Sequence, residues 1–283
     1  MSPIAIKSPL IPKPDRENLD LPRILCLHGG GTNSTIFRAQ CRVLIAQLKS
    51  HFRLVFADAP FPSEPGPDVV SVYRDFGPFK RWLRSKPEHP LMDPKSAVAE
   101  IDRSLYAAMQ DDNAIGGTGE WVGILGFSQG AKVAASVLFR QQVRTQLRGP
   151  SSGSSAAKGA AGVHFRFAVL MAGQGPIVSF DPELRMNEAL VSASDIAPLG
   201  APSAACLARE EHVLRLPTIH VHGTLDPGIE RHRLLLETYC CPKARRLVQW
   251  EGAHRVPIKT RDVAALVYEI LEVARLTGVR VVV

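Results

Sequence analysis

Long apolar runs are missing from this chain. No stretch approaches the ~20 consecutive apolar residues that a membrane helix needs, so no spanning helix is expected. Cysteine is scarce, with five in 283 residues. Cys26, Cys41, Cys206, Cys240 and Cys241 are odd in number and show no C-x-x-C spacing, which speaks against a disulfide framework and a cysteine zinc site. His220 and His222 have no cysteine pair beside them, so no metal is expected. Aromatic residues make up only 6% of the chain, and nowhere do they interleave with basic residues in a nucleic-acid-binding pattern. The opening MSPIAIKSPLIPKPDRENLDLP lacks the apolar core of a signal peptide, and its prolines predict an extended arm over residues 1–20. Arg280 to Val283 spells no targeting address, so the expected location is the cytoplasm.

What is present is an ordinary globular composition, 45% hydrophobic and 22% charged, with a formal net charge of +7. The densest basic run, Arg74 to Lys86 with Lys80, Arg81 and Arg84, reads either as a solvated helix face or as a dock for an acidic carrier protein. Short apolar runs alternate with longer amphipathic ones. Strands are predicted at 23–27, 52–57, 121–125, 165–171, 218–222 and 246–250, and helices at 36–50, 94–110, 131–142 and 261–276. The proline-rich stretch 60–67 reads as loop. Alternation of this kind predicts an α/β fold, a mostly parallel central sheet with helices on both faces. No repeat or linker divides the chain, so residues 1–283 are expected to form a single domain. Gly, Ser and Ala crowd residues 149–162, which predicts a flexible surface insert.

Within this pattern lies Gly126-Phe127-Ser128-Gln129-Gly130, a G-x-S-x-G pentapeptide after a buried strand and before a helix. That context is what a nucleophile elbow requires. A serine hydroxyl needs a histidine to take its proton, and the histidine needs an acid to orient it. Asp226 and His254 each follow a later predicted strand, giving the order Ser128, Asp226, His254. Taken singly, Asp226 fits a turn and His254 fits a surface or capping position; together the three fit a catalytic triad. Glu251 competes as the acid, but it shares a loop with His254. His220 and His222 read as packing residues. The loop His28-Gly29-Gly30-Gly31-Thr32 follows the first strand, where this arrangement needs a second oxyanion donor. The N–H groups of Gly30 and Gln129 are the expected pair, with Gly31 as the alternative, and His28 is expected to hold the loop. Phe61, Tyr73, Phe76, Phe79 and Trp82 either line an apolar acyl pocket or pack their loop against the core. Segment 174–212 is a possible cap.

The stretches ILCLHGGGTNSTIFRAQ, FADAPFPSEPGP, GFSQGAKVA, PTIHVHGTLDP and GAHRVP resemble the fungal FSH-type serine hydrolases, a branch of the α/β-hydrolase superfamily. The resemblance covers roughly residues 21–275. It implies an α/β-hydrolase fold, with the family's nucleophile, acid and base falling on Ser128, Asp226 and His254. It also implies cleavage of acyl esters or thioesters without a cofactor, in some fungal members the release of a polyketide chain from its acyl carrier protein. Two other readings stand beside it: a general carboxylesterase or acyl-protein thioesterase, and a noncatalytic binding protein on a hydrolase scaffold.

Overall fold

The computed structural model describes residues 17–66, 69–148, 163–181, 188–196, 207 and 210–281. The insert at 149–162, most of the arm and parts of 174–212 lie outside them, as does Cys206. Six strands form one sheet: β1 (Arg23–Leu27), β2 (Arg53–Ala57), β5 (Trp121–Phe127), β6 (Phe167–Met171), β9 (Thr218–Gly223) and β10 (Arg245–Trp250). Their order is β10-β9-β6-β5-β1-β2, and every neighbouring pair is parallel. The chain starts inside the sheet, steps outward to β2, then returns across β1 and builds the other side. The order therefore reverses between β1 and β5. At such a point the loops leaving the carboxyl ends of two adjacent strands diverge and open a crevice.

Burial explains the apolar runs. All five residues of β1, seven of β5 and five of β6 are buried, because helices cover both sheet faces. Side chains alternate between the two cores. Leu25 and Leu27 face one core, with α4 (Pro94–Ala114) and α5 (Gln129–Arg148). Ile24 and Cys26 face the other, with α1 (Ser34–Gln40), α2 (Arg42–Leu48) and the last helix, α7 (Thr260–Leu276). Helix α6 (Ile229–Tyr239) joins β9 to β10 and sends Leu235 and Tyr239 into the first core. Caps set the helix starts. Asn33 accepts the Ile36 N–H, and Asp93, followed by Pro94, accepts the Ser96 N–H.

Three expectations need correction. The predicted helix over 36–50 is two helices, broken at Cys41. The predicted loop at 60–67 contains a strand, β3 (Phe61–Ser63), paired antiparallel with β4 (Phe79–Arg81). Between them only Val70–Tyr73, α3, is helical, so the basic run at 74–86 is not a helix face. Within it Lys80 pairs with Asp58 at 2.9 Å and Arg81 is buried. A further two-stranded pair, β7 (Val178–Ser179) and β8 (Val191–Ser192), lies within the segment read as a cap.

Candidate active site

Ser128 follows β5 at the point where the strand order reverses. Its backbone has φ 53°, in the left-handed region that a side chain adopts only under constraint. Its N–H is fixed to Met171 O at 2.8 Å, and its carbonyl takes the N–H groups of Ala131 and Lys132 at the start of α5. The flanking glycines answer to space. A Cβ on Gly126 would stand 2.3 Å from the Gly130 carbonyl, and one on Gly130 would stand 2.2 Å from Leu27 O. Only two bare backbones let strand, serine and helix pack this closely.

The two other residues of the predicted set converge here from the ends of β9 and β10. The Ser128 hydroxyl lies 2.9 Å from His254 Nε2. His254 Nδ1 lies 2.7 Å from Asp226 Oδ2, and a carboxylate there accepts, so Nδ1 carries the hydrogen and Nε2 is left to take the serine proton. Asp226 is 3% exposed, and its other oxygen accepts the Gly228 N–H at 2.8 Å, which fixes the carboxylate plane. The His254 ring rests on Phe127, with centroids 5.1 Å apart. Glu251 is exposed on the same loop and takes no part in this chain of hydrogen bonds.

The loop after β1 is built to turn its carbonyls away. Ala59 N–H donates to His28 Nε2, so His28 Nδ1 donates to Gly29 O at 2.7 Å. Burial lowers the His28 pKa to about 4, which keeps this tautomer neutral. Thr32 Oγ1 also donates to Gly29 O, Trp82 Nε1 donates to His28 O, and Gly66 N–H takes Gly31 O. Gly31 corrects the expectation of an alternative donor: its N–H is given to Lys80 O at 2.9 Å. The N–H groups of Gly30 and Gln129 meet no acceptor among the described residues. The Gln129 side chain, whose role the sequence did not suggest, reaches the other way. Its Oε1 accepts from Trp82 N–H and Leu83 N–H, and its Nε2 donates to Leu83 O. It thereby ties the segment after β4 to the head of α5.

A cavity of about 600 Å³ opens over these groups, lined by Gly30, Ser128 and Gln129. None of the five aromatics predicted to line an acyl pocket is on its wall. Trp82 is fully buried beneath the His28 loop, and Phe61 lies under the Arg81 guanidinium. Tyr73 and Phe76 pack edge to face against each other, and Phe79 stands by Gly77. Part of segment 174–212 does reach the wall, through Gln174, Val178, Val191, Asp195 and Ile196.

Three histidines lie behind the site. His220, His222 and His232 are buried, and burial pushes the pKa of His222 and His232 to about 4. His232 Nε2 sits 3.7 Å from Asp226 Oδ2, too far for a hydrogen bond. Asp226, His232 and His254 bring one donor atom each within 4.8 Å, the compactness a metal ion needs. A cation there would compete with the bond that orients His254. The described cysteines are free, and burial raises the Cys26 thiol well above its usual range and Cys240 to about 12, which suits packing rather than nucleophilic chemistry.

Comparison with known proteins places the chain in a family. The family described as "Serine hydrolase (FSH1)" matches residues 19–266. A protein of Aspergillus terreus named "Probable esterase tazC" is 58% identical over 259 residues, covering 92% of this chain and 94% of the relative. "Esterase pigG" of Monascus ruber is also 58% identical, covering 94% of this chain and 96% of the relative. Among solved structures, acyl-protein thioesterase 2 of Zea mays superposes with a TM-score of 0.50 at 14% identity, covering 90% of this chain and 94% of its own. That likeness is one of fold. The parallel six-stranded sheet with helices on both faces is the α/β-hydrolase fold.

Proposed function

This chain belongs to the FSH1 serine hydrolase family and is a hydrolase, and from that premise we propose that Ser128, His254 and Asp226 carry the reaction as nucleophile, general base and orienting acid. The observation that carries the reading is the pair of hydrogen bonds, 2.9 and 2.7 Å, joining a strained serine to a buried carboxylate at the floor of a cavity. His254 Nε2 takes the Ser128 proton as Oγ attacks the acyl carbonyl. The N–H groups of Gly30 and Gln129 hold the oxyanion, with the start of α5 adding its dipole. His254 then protonates the departing alcohol or thiol. Water enters, loses its proton to His254 and attacks the acyl-serine, and collapse of that second oxyanion returns Ser128.

The substrate class is an acyl ester or thioester, with release of a polyketide or fatty acyl chain from a carrier protein as the specific form. LHGGGTN, the loop that includes Gly66, and GFSQGA support this reading. The relatives' names favour a second, broader one, an esterase acting on free oxygen esters.

The test is labelling by a fluorophosphonate probe, with the modified peptide located by mass spectrometry. Modification at Ser128 in the wild type, and none in Ser128→Ala, is the expected result. A folded wild-type protein that resists the probe, under conditions that label a control hydrolase, overturns the assignment. Turnover of carrier-bound thioesters no faster than that of short alkyl esters selects the broader esterase.

A further inference from the structure

The cavity wall carries three cations that no described carboxylate neutralises. Arg81 is 6% exposed, its Nε has no hydrogen-bond partner among the described residues, and its guanidinium rests 5.1 Å from the Phe61 ring. Lys132 is 8% exposed, and among the described residues its Nζ reaches only Gly175 O, at 3.5 Å. The Arg231 side chain, on the first turn of α6, makes a single hydrogen bond among the described residues, to Gln174 Oε1 at 3.2 Å. No carboxylate among the described residues pairs with any of the three. Two acids do line the cavity: Glu64, exposed and 3.4 Å from Lys86, and Asp195, exposed at the rim.

Burying a cation without a counter-charge is costly, and a fold that keeps two of them in one wall gains only if an anion arrives. The position is informative. Lys132 N–H bonds to Ser128 O, so Lys132 stands one helical turn from the nucleophile. Both side chains line the same cavity. The anionic group therefore sits close to the acyl carbonyl rather than at the tip of a long chain. Burial, reinforced by the charge of Arg231, lowers the Lys132 pKa to about 8, the state expected of an ammonium whose partner is missing.

We propose that Arg81, Lys132 and Arg231 form an anion subsite beside Ser128, so that the preferred substrate carries an anionic oxygen group near its scissile bond. The chemistry that fits is a carboxylate on the acyl chain a few atoms from the carbonyl; the phosphate of a phosphopantetheine-type leaving group lies at the far end of the pantetheine arm and serves as the contrast. The inference rests on Ser128 being the nucleophile.

Its test uses two matched pairs with the wild-type chain. The first is the p-nitrophenyl ester of hexanoic acid against the p-nitrophenyl monoester of adipic acid. The second is hexanoyl-pantetheine against hexanoyl-coenzyme A. A preference of roughly tenfold to a hundredfold in kcat/KM for the charged member is expected in the first pair; a preference confined to the second puts the anion contact at the far end of the leaving group and overturns a subsite beside Ser128. Arg231→Gln and Lys132→Met shrink that ratio towards one, added salt shrinks it too, and Arg231→Lys restores part of it. Should Lys132→Met fail to fold, the half-buried Arg231 still decides. Equal turnover within both pairs by an enzyme that the fluorophosphonate labels overturns the subsite and leaves the hydrolase intact. No turnover together with no labelling overturns both.

Discussion

The two ends of the parallel sheet treat buried charge in opposite ways. At the amino ends, Arg23 of β1 and Arg53 of β2 share Asp112, near the end of α4, at 3.1 and 2.7 Å. Both guanidinium groups there are engaged by several acceptors. Arg23 also donates to Gly119 O and Asn113 Oδ1 and stacks over Trp121, and Arg53 reaches Glu17 O. At the carboxyl ends, Arg81, Lys132 and Arg231 face a cavity with no carboxylate partner among the described residues. A charge satisfied from within belongs to the fold. A charge left waiting, in a wall that also holds Ser128, belongs to what binds. The contrast predicts that substitutions at the two ends divide activity from stability.

Ser128→Ala has the largest expected effect. In the proposed mechanism Ser128 carries the covalent step, so turnover should fall on the order of 10⁴ to 10⁶ in kcat. The thermal midpoint should stay within a few degrees of wild type, since the strained backbone is held by Met171 O and α5 rather than by the hydroxyl. A large fall in Tm, or residual hydrolysis near wild-type level, breaks the contrast at its upper end.

Asp112→Asn tests the lower end. It leaves two buried guanidinium groups without a counter-charge, at a cost of about 3–5 kcal/mol. Denaturant titration should show that loss, while kcat/KM of the folded fraction is unchanged, because Asp112 lies at the far end of the strands from Ser128. Altered specificity in the folded fraction would mean that the two ends are coupled.

Lys132→Met has the smallest effect and the sharpest sign. Removing an uncompensated buried ammonium should stabilise the ligand-free chain by roughly 1–3 kcal/mol at pH 7. The folded pKa, about 8, lies below the ordinary lysine value of 10.5. The penalty in the wild type is therefore complete below pH 8 and fades as pH rises towards 10.5, where the amine is neutral in both states. The variant's advantage must follow the same curve in Tm measurements across pH. A lower Tm at pH 7 would show that Lys132 is held by the fold, as Arg23 is.

Much of the site was legible because it depends on order along the chain. Ser128, Asp226 and His254 each follow an apolar run, and in a parallel sheet the carboxyl ends of all strands lie on one edge. Gly126 and Gly130 flank the serine for a steric reason that shows in the sequence itself. The loop over the cavity was not legible. Nothing in residues 60–86 says that Phe61–Ser63 pairs with Phe79–Arg81, and that pairing delivers Lys80 O to Gly31 and turns Trp82 inward. The five aromatics, which composition allowed either to line a pocket or to pack their loop, stand off the cavity wall for that reason. Local composition records hydrophobicity, whereas the direction in which an aromatic points depends on the partner strand. Gln129 and His232 carried no signal either, because their contacts span 46 residues in one case and join α6 to the loop after β9 in the other.

By itself the sequence determined the strand and helix alternation, the parallel sheet it implies and the three residues set at its carboxyl edge, since periodicity and chain order are local properties. Tertiary structure alone decided which backbone N–H groups stay free and which cations stay unpaired. Both depend on groups distant in the chain being brought within hydrogen-bonding reach or left outside it.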